Sequence, residues 1–197
     1  YDRDIIIINT LKINKIVVIN DGKEIVAFSG STLYDLEKKL DPYHRDPHSV
    51  IGSTSIGATI VGGICNNSGG SLVHRGPAYT ELALYAKINK EGHLELVNEL
   101  EIELGSNPEE ILNNIDSDNF LQQNIKSSNK LGSDDKYSDI VRDVNSNTPA
   151  RFNSDKRLLY GVSGSAGKVA VFAVRLNTYP KPNKSKVFYI GSNNPEN

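Results

Sequence analysis

The residues best suited to chemistry in this chain lie in one run from Ile51 to Gly70. Six glycines fall in it among serine, threonine and asparagine, and it contains no charged side chain. Glycine lets a ligand approach the main chain closely, and backbone N–H groups together with small hydroxyls can hold an anion. The run therefore predicts a cradle for a phosphate-bearing cofactor. A helix–strand packing corner without a ligand is the alternative interpretation.

A second cluster of glycine and serine, Gly161–Gly167, precedes Lys168–Thr178, the segment with the strongest strand pattern. Alone, such a cluster is typical of a turn before a core strand. Two clusters far apart in sequence, each next to a strong element, favour a shared binding site. The first run contains neither Gly-x-Gly-x-x-Gly nor Gly-Lys-Ser/Thr, so it is neither a Rossmann fingerprint nor a nucleotide P-loop.

The other reactive side chains give no comparable pattern. Pro47 prevents one helix face from presenting both His44 and His48, so no metal site is predicted. Cys65 is the single cysteine and is interpreted as a packed small side chain that forms no internal disulfide. Arg45, Arg75 and Arg151 could pair with an anion, but isolated arginines are usually solvated. His48 could contact a ligand, with an ordinary loop histidine as the preferred interpretation. No Ser–His–Asp or Cys–His arrangement is evident, which leaves the catalytic residues unknown.

The elements that must position these clusters follow from periodicity and turn signals. Aliphatic, β-branched segments between turn residues predict strands at Asp4–Asn9, Ile16–Asn20, Glu24–Phe28, Leu82–Asn89, Leu94–Val97, Lys168–Thr178 and Val187–Ile190. Helices are predicted after a Thr32 N-cap, within Gly57–Asn67 and from Asn107 onwards. The polar region 117–154 is expected to form helical turns and surface loop. Because strands and helices do not alternate steadily as βαβ units, the predicted fold class is α+β.

Composition limits the class of protein further. The chain has 197 residues, a net charge of −2, 38% hydrophobic and 23% charged residues, which is typical of a globular chain. This charge balance gives no reason to expect a nucleic-acid partner. The longest apolar runs are far shorter than the roughly 20 residues that span a bilayer. The chain has no methionine and opens at Tyr1 just before a strand-like segment, so it is predicted to start within a domain.

Long motifs in the chain resemble a known family. These are Tyr1-Asp-Arg-Asp, Thr32-Leu-Tyr-Asp-Leu-Glu-Lys, and the segments 47–81, 147–155 and 164–176. They resemble the FAD-binding domain of the bacterial quinone-dependent D-lactate dehydrogenases, which are vanillyl-alcohol-oxidase-like flavoproteins. The similarity covers essentially the whole chain and is weakest over 117–137. It implies that residues 1–197 are a partial FAD-binding domain of the PCMH type, namely its second α+β subdomain. The preceding pyrophosphate-loop subdomain and the downstream cap and membrane-binding regions would lie outside this chain.

The resemblance also implies a cofactor, a reaction and partners. FAD would be contacted by Gly52, Ser53, Thr59, Gly69 and Val171, with Thr59 offering its hydroxyl or N–H. D-lactate would be oxidised to pyruvate and the electrons passed to a membrane quinone. The protein would lie peripherally on the cytoplasmic side of the bacterial inner membrane. The catalytic base is expected outside this chain. Another FAD-linked 2-hydroxy-acid dehydrogenase or oxidase, or a non-catalytic binding module, is the alternative.

Overall fold

A five-stranded antiparallel sheet forms the centre of the computed structural model, which describes residues 4, 7–48, 56–69, 72–117, 120, 122–127, 129–147 and 155–194. The strands are β1 (Ile16–Ile19), β2 (Glu24–Phe28), β3 (Arg45–Asp46), β4 (Ala83–Ile88), β5 (Leu94–Asn98), β6 (Ala170–Asn177) and β7 (Tyr179–Pro180). The order in the main sheet is β1-β2-β6-β4-β5, and every neighbouring pair is antiparallel. The short strands β3 and β7 pair with each other in a separate antiparallel sheet.

The central strand β6 is buried on both faces. Val174 and Leu176 belong to one hydrophobic cluster, while Ala173 belongs to the cluster on the opposite face. In the neighbouring strand β2, the successive residues 25–27 are all fully buried. Successive side chains of a strand point to opposite faces, so this pattern requires cover on both sides of the sheet.

Two helices, α1 (Leu33–Leu40) and α2 (Ile60–Cys65), cover the first face. The predicted N-cap of α1 is confirmed, because the Thr32 hydroxyl accepts a hydrogen bond from the Asp35 N–H at 3.0 Å. The three leucines of α1 recur at helical spacing and are buried against the sheet. This apolar stripe fixes the orientation of the helix.

A third helix, α3 (Pro108–Asp116), covers the opposite face. Its start is also as predicted: Pro108 occupies the first turn, and the Asn107 side chain accepts a hydrogen bond from the Glu110 N–H at 3.0 Å. Its two buried residues, Ile111 and Ile115, pack on the sheet. Helices on both faces give the antiparallel sheet a core on each side.

The polar region 117–154 is described in part and contains α4 (Tyr137–Arg142) and a short 3-10 turn, Gln122–Asn124. This agrees with the predicted helical turns and loop. The architecture as a whole mixes helices and sheet, consistent with the α+β class. Within the described ranges, no helix combines the length and the apolar character needed to cross a membrane.

Two predicted strands are wrong. Residues 7–9 of the predicted strand Asp4–Asn9 are not in a strand, and Ile7 and Ile8 are 84% and 78% exposed; residues 5 and 6 lie outside the described chain. Val187–Ile190 is also not a strand, and its four side chains are 76–97% exposed. β-forming residues favour a strand only where a neighbouring strand and an apolar surface receive them. Neither segment pairs with another strand among the described residues.

Candidate cofactor site

The described part of the first glycine-rich run, residues 56–69, forms α2 and its flanks. Thr59 is the N-cap of this helix, and its hydroxyl accepts a hydrogen bond from the Gly62 N–H at 3.2 Å. The side chains that α2 buries in the first cluster are Ile60, Val61 and Ile64. Apolar burial therefore fixes one side of α2, and its small uncharged residues occupy the other side.

The outer side of α2 is built from glycine and amide groups. Gly62 and Gly63 are half-buried, and the exposed Asn66 donates its side-chain N–H to the Gly62 carbonyl at 2.8 Å. A Cβ added at Gly62 would lie 2.7 Å from the Thr59 hydroxyl oxygen, so glycine preserves the N-cap. Because residues 56–69 carry no charge, this surface offers a ligand main-chain dipoles, hydroxyls and amides.

The second glycine-rich cluster lies directly against the end of α2. The Gly164 N–H donates to the Ile64 carbonyl at 3.0 Å, and the Ala166 N–H donates to the Cys65 carbonyl at 2.9 Å. The last carbonyls of a helix lack partners within the helix, and the second cluster bonds to two of them; the Ile64 carbonyl also accepts from the Asn67 N–H at 3.0 Å. The structure thus brings the two clusters together, as the sequence suggested, but these two amides of the second cluster already bond to α2.

Val171 lies in β6 beside this junction. It is half-buried, packs against the same hydrophobic cluster as α2, and is paired in register with Tyr85 of β4. The Tyr85 hydroxyl donates to Glu99 at 3.4 Å. Burial, followed by the nearby Glu99 carboxylate, raises the pKa of Tyr85 to about 12. The side chain next to Val171 in the sheet is therefore a neutral phenol at physiological pH.

The structure describes three of the five predicted cofactor contacts: Thr59, Gly69 and Val171. Gly52 and Ser53 lie outside the described residues. Gly69 follows α2 in half-buried, non-helical backbone. The Thr59 hydroxyl accepts from Gly62, and its own hydrogen has no acceptor in the described part of the chain, which leaves it able to donate to a phosphate oxygen. These features fit a phosphate-bearing group.

Two residues near this surface were misjudged from sequence. Arg75 is not solvated: it donates to the Pro47 carbonyl at 2.6 Å and to the Asp46 carboxylate at 3.0 Å, and its side chain is 13% exposed. His48 lies in a loop, as expected, but it is buried rather than solvated, at 3% exposed. Burial, followed by the positive charge of Arg75, lowers the pKa of His48 to about 4. The one available signal was their position on either side of the first run.

The interpretation of Cys65 as a packed small side chain agrees with the structure. Cys65 packs against the first hydrophobic cluster, and burial raises the pKa of its thiol. The described residues also contain no group of three or more His, Cys, Asp or Glu side chains arranged to hold a metal ion.

The fold and this site define a mixed helix-and-sheet protein with an uncharged, glycine-rich helix on one face of an antiparallel sheet. That is a surface suited to a phosphate-bearing cofactor. No protein-family model matches the chain.

Individual relatives are nevertheless close. The chain is 53% identical over 196 residues to the quinone-dependent D-lactate dehydrogenase of Escherichia coli (strain K12). It is 53% identical over 193 residues to the enzyme of that name from Haemophilus influenzae, and 43% identical over 194 residues to that from Corynebacterium glutamicum. The alignments cover 98–100% of this chain and 34% of each relative. The chain is therefore a homologue of quinone-dependent D-lactate dehydrogenases and spans about a third of their length, which confirms the predicted resemblance.

Proposed function

We propose that this chain is the FAD-binding segment of a quinone-dependent D-lactate dehydrogenase. The observation that carries the proposal is the 53% identity over the whole chain to an enzyme of that name. Residues 1–197 would form the second subdomain of a PCMH-type FAD-binding domain. The uncharged outer side of α2 and the adjoining second glycine cluster support this reading, because both offer main-chain surface to a diphosphate.

Each proposed contact has a role that its residue type permits. Thr59 would donate its hydroxyl hydrogen to a phosphate oxygen while still capping α2. Gly52, Ser53 and Gly69 would offer main-chain N–H groups, and Val171 would contact the cofactor through the backbone of β6. When bound, FAD supplies the capacity to take up the electrons of a 2-hydroxy acid. This segment would bind and orient the cofactor, and the catalytic base would lie elsewhere in the protein.

The partners and location are part of the same proposal. D-lactate would be the electron donor and a membrane quinone the acceptor. The protein would be peripheral on the cytoplasmic side of the bacterial inner membrane, reaching the membrane surface through regions outside this chain. The net charge of −2 gives no reason to expect a nucleic-acid partner.

The first experiment is to purify the intact protein, record its flavin spectrum and measure D-lactate oxidation with a soluble quinone. Bound flavin and D-lactate activity are expected. A flavin-containing protein that oxidises a different 2-hydroxy acid would favour the related dehydrogenase or oxidase. A protein that contains no flavin and stays inactive on D-lactate after FAD is added would remove the assignment.

The site is tested separately with Gly69→Val. The branched side chain would fill space that the cofactor needs, so flavin occupancy after purification should fall. Gly191→Val is the matched control, because a Cβ at Gly191 would meet no atom within 4 Å. Equal occupancy in both variants would count against Gly69 lining the site. The 197-residue chain alone should bind FAD weakly, and a sub-micromolar affinity in a titration would contradict that expectation.

A further inference from the structure

Arg75 joins parts of the chain that are far apart in sequence but surround the first glycine-rich run. Its guanidinium donates to the Pro47 carbonyl (2.6 Å) and to Asp46 (3.0 Å), both of which precede the run. It also lies over the ring of Tyr179, 5.1 Å from the ring centroid, just after β6 ends. One side chain therefore contacts the entry to the run and β7, the short strand that follows β6.

The entry to the run is itself fixed to the end of β6. Asp46 pairs with Tyr179 in the β3–β7 sheet. Arg45 donates to the Thr178 carbonyl at 2.7 Å, which adds a side-chain bond to this pairing. Arg75 contacts both strands of this pair, through Asp46 of β3 and Tyr179 of β7.

The exit from the run leads directly to Arg75. The Ala78 N–H donates to the Ser68 carbonyl at 2.9 Å, and the Arg75 N–H donates to the Leu72 carbonyl at 2.8 Å, so this loop is closed on itself. A Cβ on Gly63 of α2 would lie 3.7 Å from the Cβ of Ala78, which shows that the loop packs on the helix. A displacement of Arg75 would therefore be transmitted to α2.

We propose that Arg75 is a positioning residue for the cofactor surface: it holds the segment that packs on α2 against the β3–β7 pair, next to the end of β6. The inference rests on the proposed function, because the surface it positions is the proposed FAD site. Arg75 acts through Asp46, the Pro47 carbonyl and Tyr179. A site made of neutral donors needs such support, since each hydrogen bond depends on direction as well as distance.

The test uses the intact protein and compares Arg75→Met with Arg175→Lys. Arg175 also forms a buried ion pair, with both Glu24 oxygens at 2.9 Å, but β6 turns it to the face opposite α2. FAD affinity is measured by titrating flavin-free protein, and stability by thermal unfolding of the same samples. Arg75→Met should weaken FAD binding by at least about tenfold. This is the effect expected if the displaced surface loses one hydrogen bond to the charged diphosphate. Arg175→Lys should lower the unfolding temperature without measurable change in FAD affinity.

Two further variants and a cofactor-free measurement separate the outcomes. Arg75→Lys should restore part of the affinity, because the charge remains while the planar two-pronged contact is lost. Asp46→Asn should weaken FAD binding less than Arg75→Met does, because the contact of Arg75 with Pro47 remains. It replaces Arg75→Met as the test variant if Arg75→Met does not fold. Amide exchange over residues 56–68 of the flavin-free protein should accelerate in Arg75→Met but not in Arg175→Lys.

The inference is overturned if Arg75→Met binds FAD as the wild type does, or if both arginine variants lose affinity in proportion to lost stability. Unchanged amide exchange over 56–68 in Arg75→Met would also overturn it. If wild-type protein binds no FAD, the proposed function fails, and faster exchange in Arg75→Met would still show that Arg75 holds α2 in place.

Discussion

His48 should make this protein less stable as the pH falls from 6.5 towards 4. The side chain is 3% exposed, and its Nδ1 has no hydrogen-bond partner among the described residues. Burial and the positive charge of Arg75 both disfavour the imidazolium form, and lower the pKa from 6.5 to about 4. The Asp46 carboxylate is paired with Arg75 and not with His48, so it does not offset the cost of a charged imidazolium.

The magnitude follows from the difference between the two pKa values. The unfolded chain binds a proton at His48 below about pH 6.5, whereas the folded protein does so only near pH 4. The stability due to neutral His48 is therefore fully present above the unfolded pKa and is lost as pH falls through this window. At about 1.4 kcal/mol per pKa unit, the loss amounts to about 3 kcal/mol.

The assay is urea unfolding of wild-type and His48→Gln protein at a series of pH values across this window. Glutamine cannot be protonated, so the difference between the two free energies of unfolding should shrink by about 3 kcal/mol from the neutral to the acidic end. His93→Gln is the control, because His93 is exposed in the β4–β5 turn. Parallel curves for wild type and His48→Gln would refute the reasoning, since they would mean that folding does not change the proton affinity of His48.

Glycine substitutions test the geometry around the site, with all variants measured by chemical denaturation of flavin-free protein. Gly63→Ala should raise the free energy of unfolding by about 0.5–1 kcal/mol, the usual cost of glycine in a helix, because its Cβ meets only an ordinary 3.7 Å contact. Gly62→Ala should lack this gain, because its Cβ would lie 2.7 Å from the Thr59 hydroxyl and disturb a cap worth about 1 kcal/mol. Gly76→Ala should cost more than the roughly 1–2 kcal/mol of its left-handed φ of +71°, since a side-chain atom lies 2.9 Å from the new Cβ. Gly92→Ala, at φ +83° in open space, should cost only the strain of its left-handed backbone. Equal effects of Gly63→Ala and Gly62→Ala, or of Gly76→Ala and Gly92→Ala, would contradict this geometry.

Helix starts could be predicted from sequence because their chemistry is local. Thr32 and Asn107 each cap a helix through an N–H three residues ahead. Thr59 caps α2 in the same way, although the helix was expected only somewhere within Gly57–Asn67. Such bonds need only the side chain and the next turn of backbone. Strand pairs joined by short turns, such as β4 and β5, were recognisable for the same reason.

Contacts between distant segments could not be predicted in this way. Arg75 bonds to Pro47 across 28 positions, and Arg45 bonds to Thr178 across 133. Apart from the position of Arg75 just after the first glycine-rich run, nothing in the residues next to either arginine distinguishes it from a solvated one. The central place of β6 in the sheet has the same origin, because it depends on pairing with both β2 and β4. The wrongly predicted strand at Val187–Ile190 shows the same dependence. Its residues favour a strand locally, but no described strand pairs with them.

Charge in this region lies beside the proposed binding surface and not on it. Arg75 bonds to the Asp46 carboxylate and to the Pro47 carbonyl, while residues 56–69 are neutral. A cation facing a diphosphate attracts it from many directions, whereas N–H groups bind it only when their directions converge. The six-residue α2 is too short to be rigid alone, so that convergence depends on what it packs against. We therefore expect Arg75 to affect cofactor binding through the position of α2.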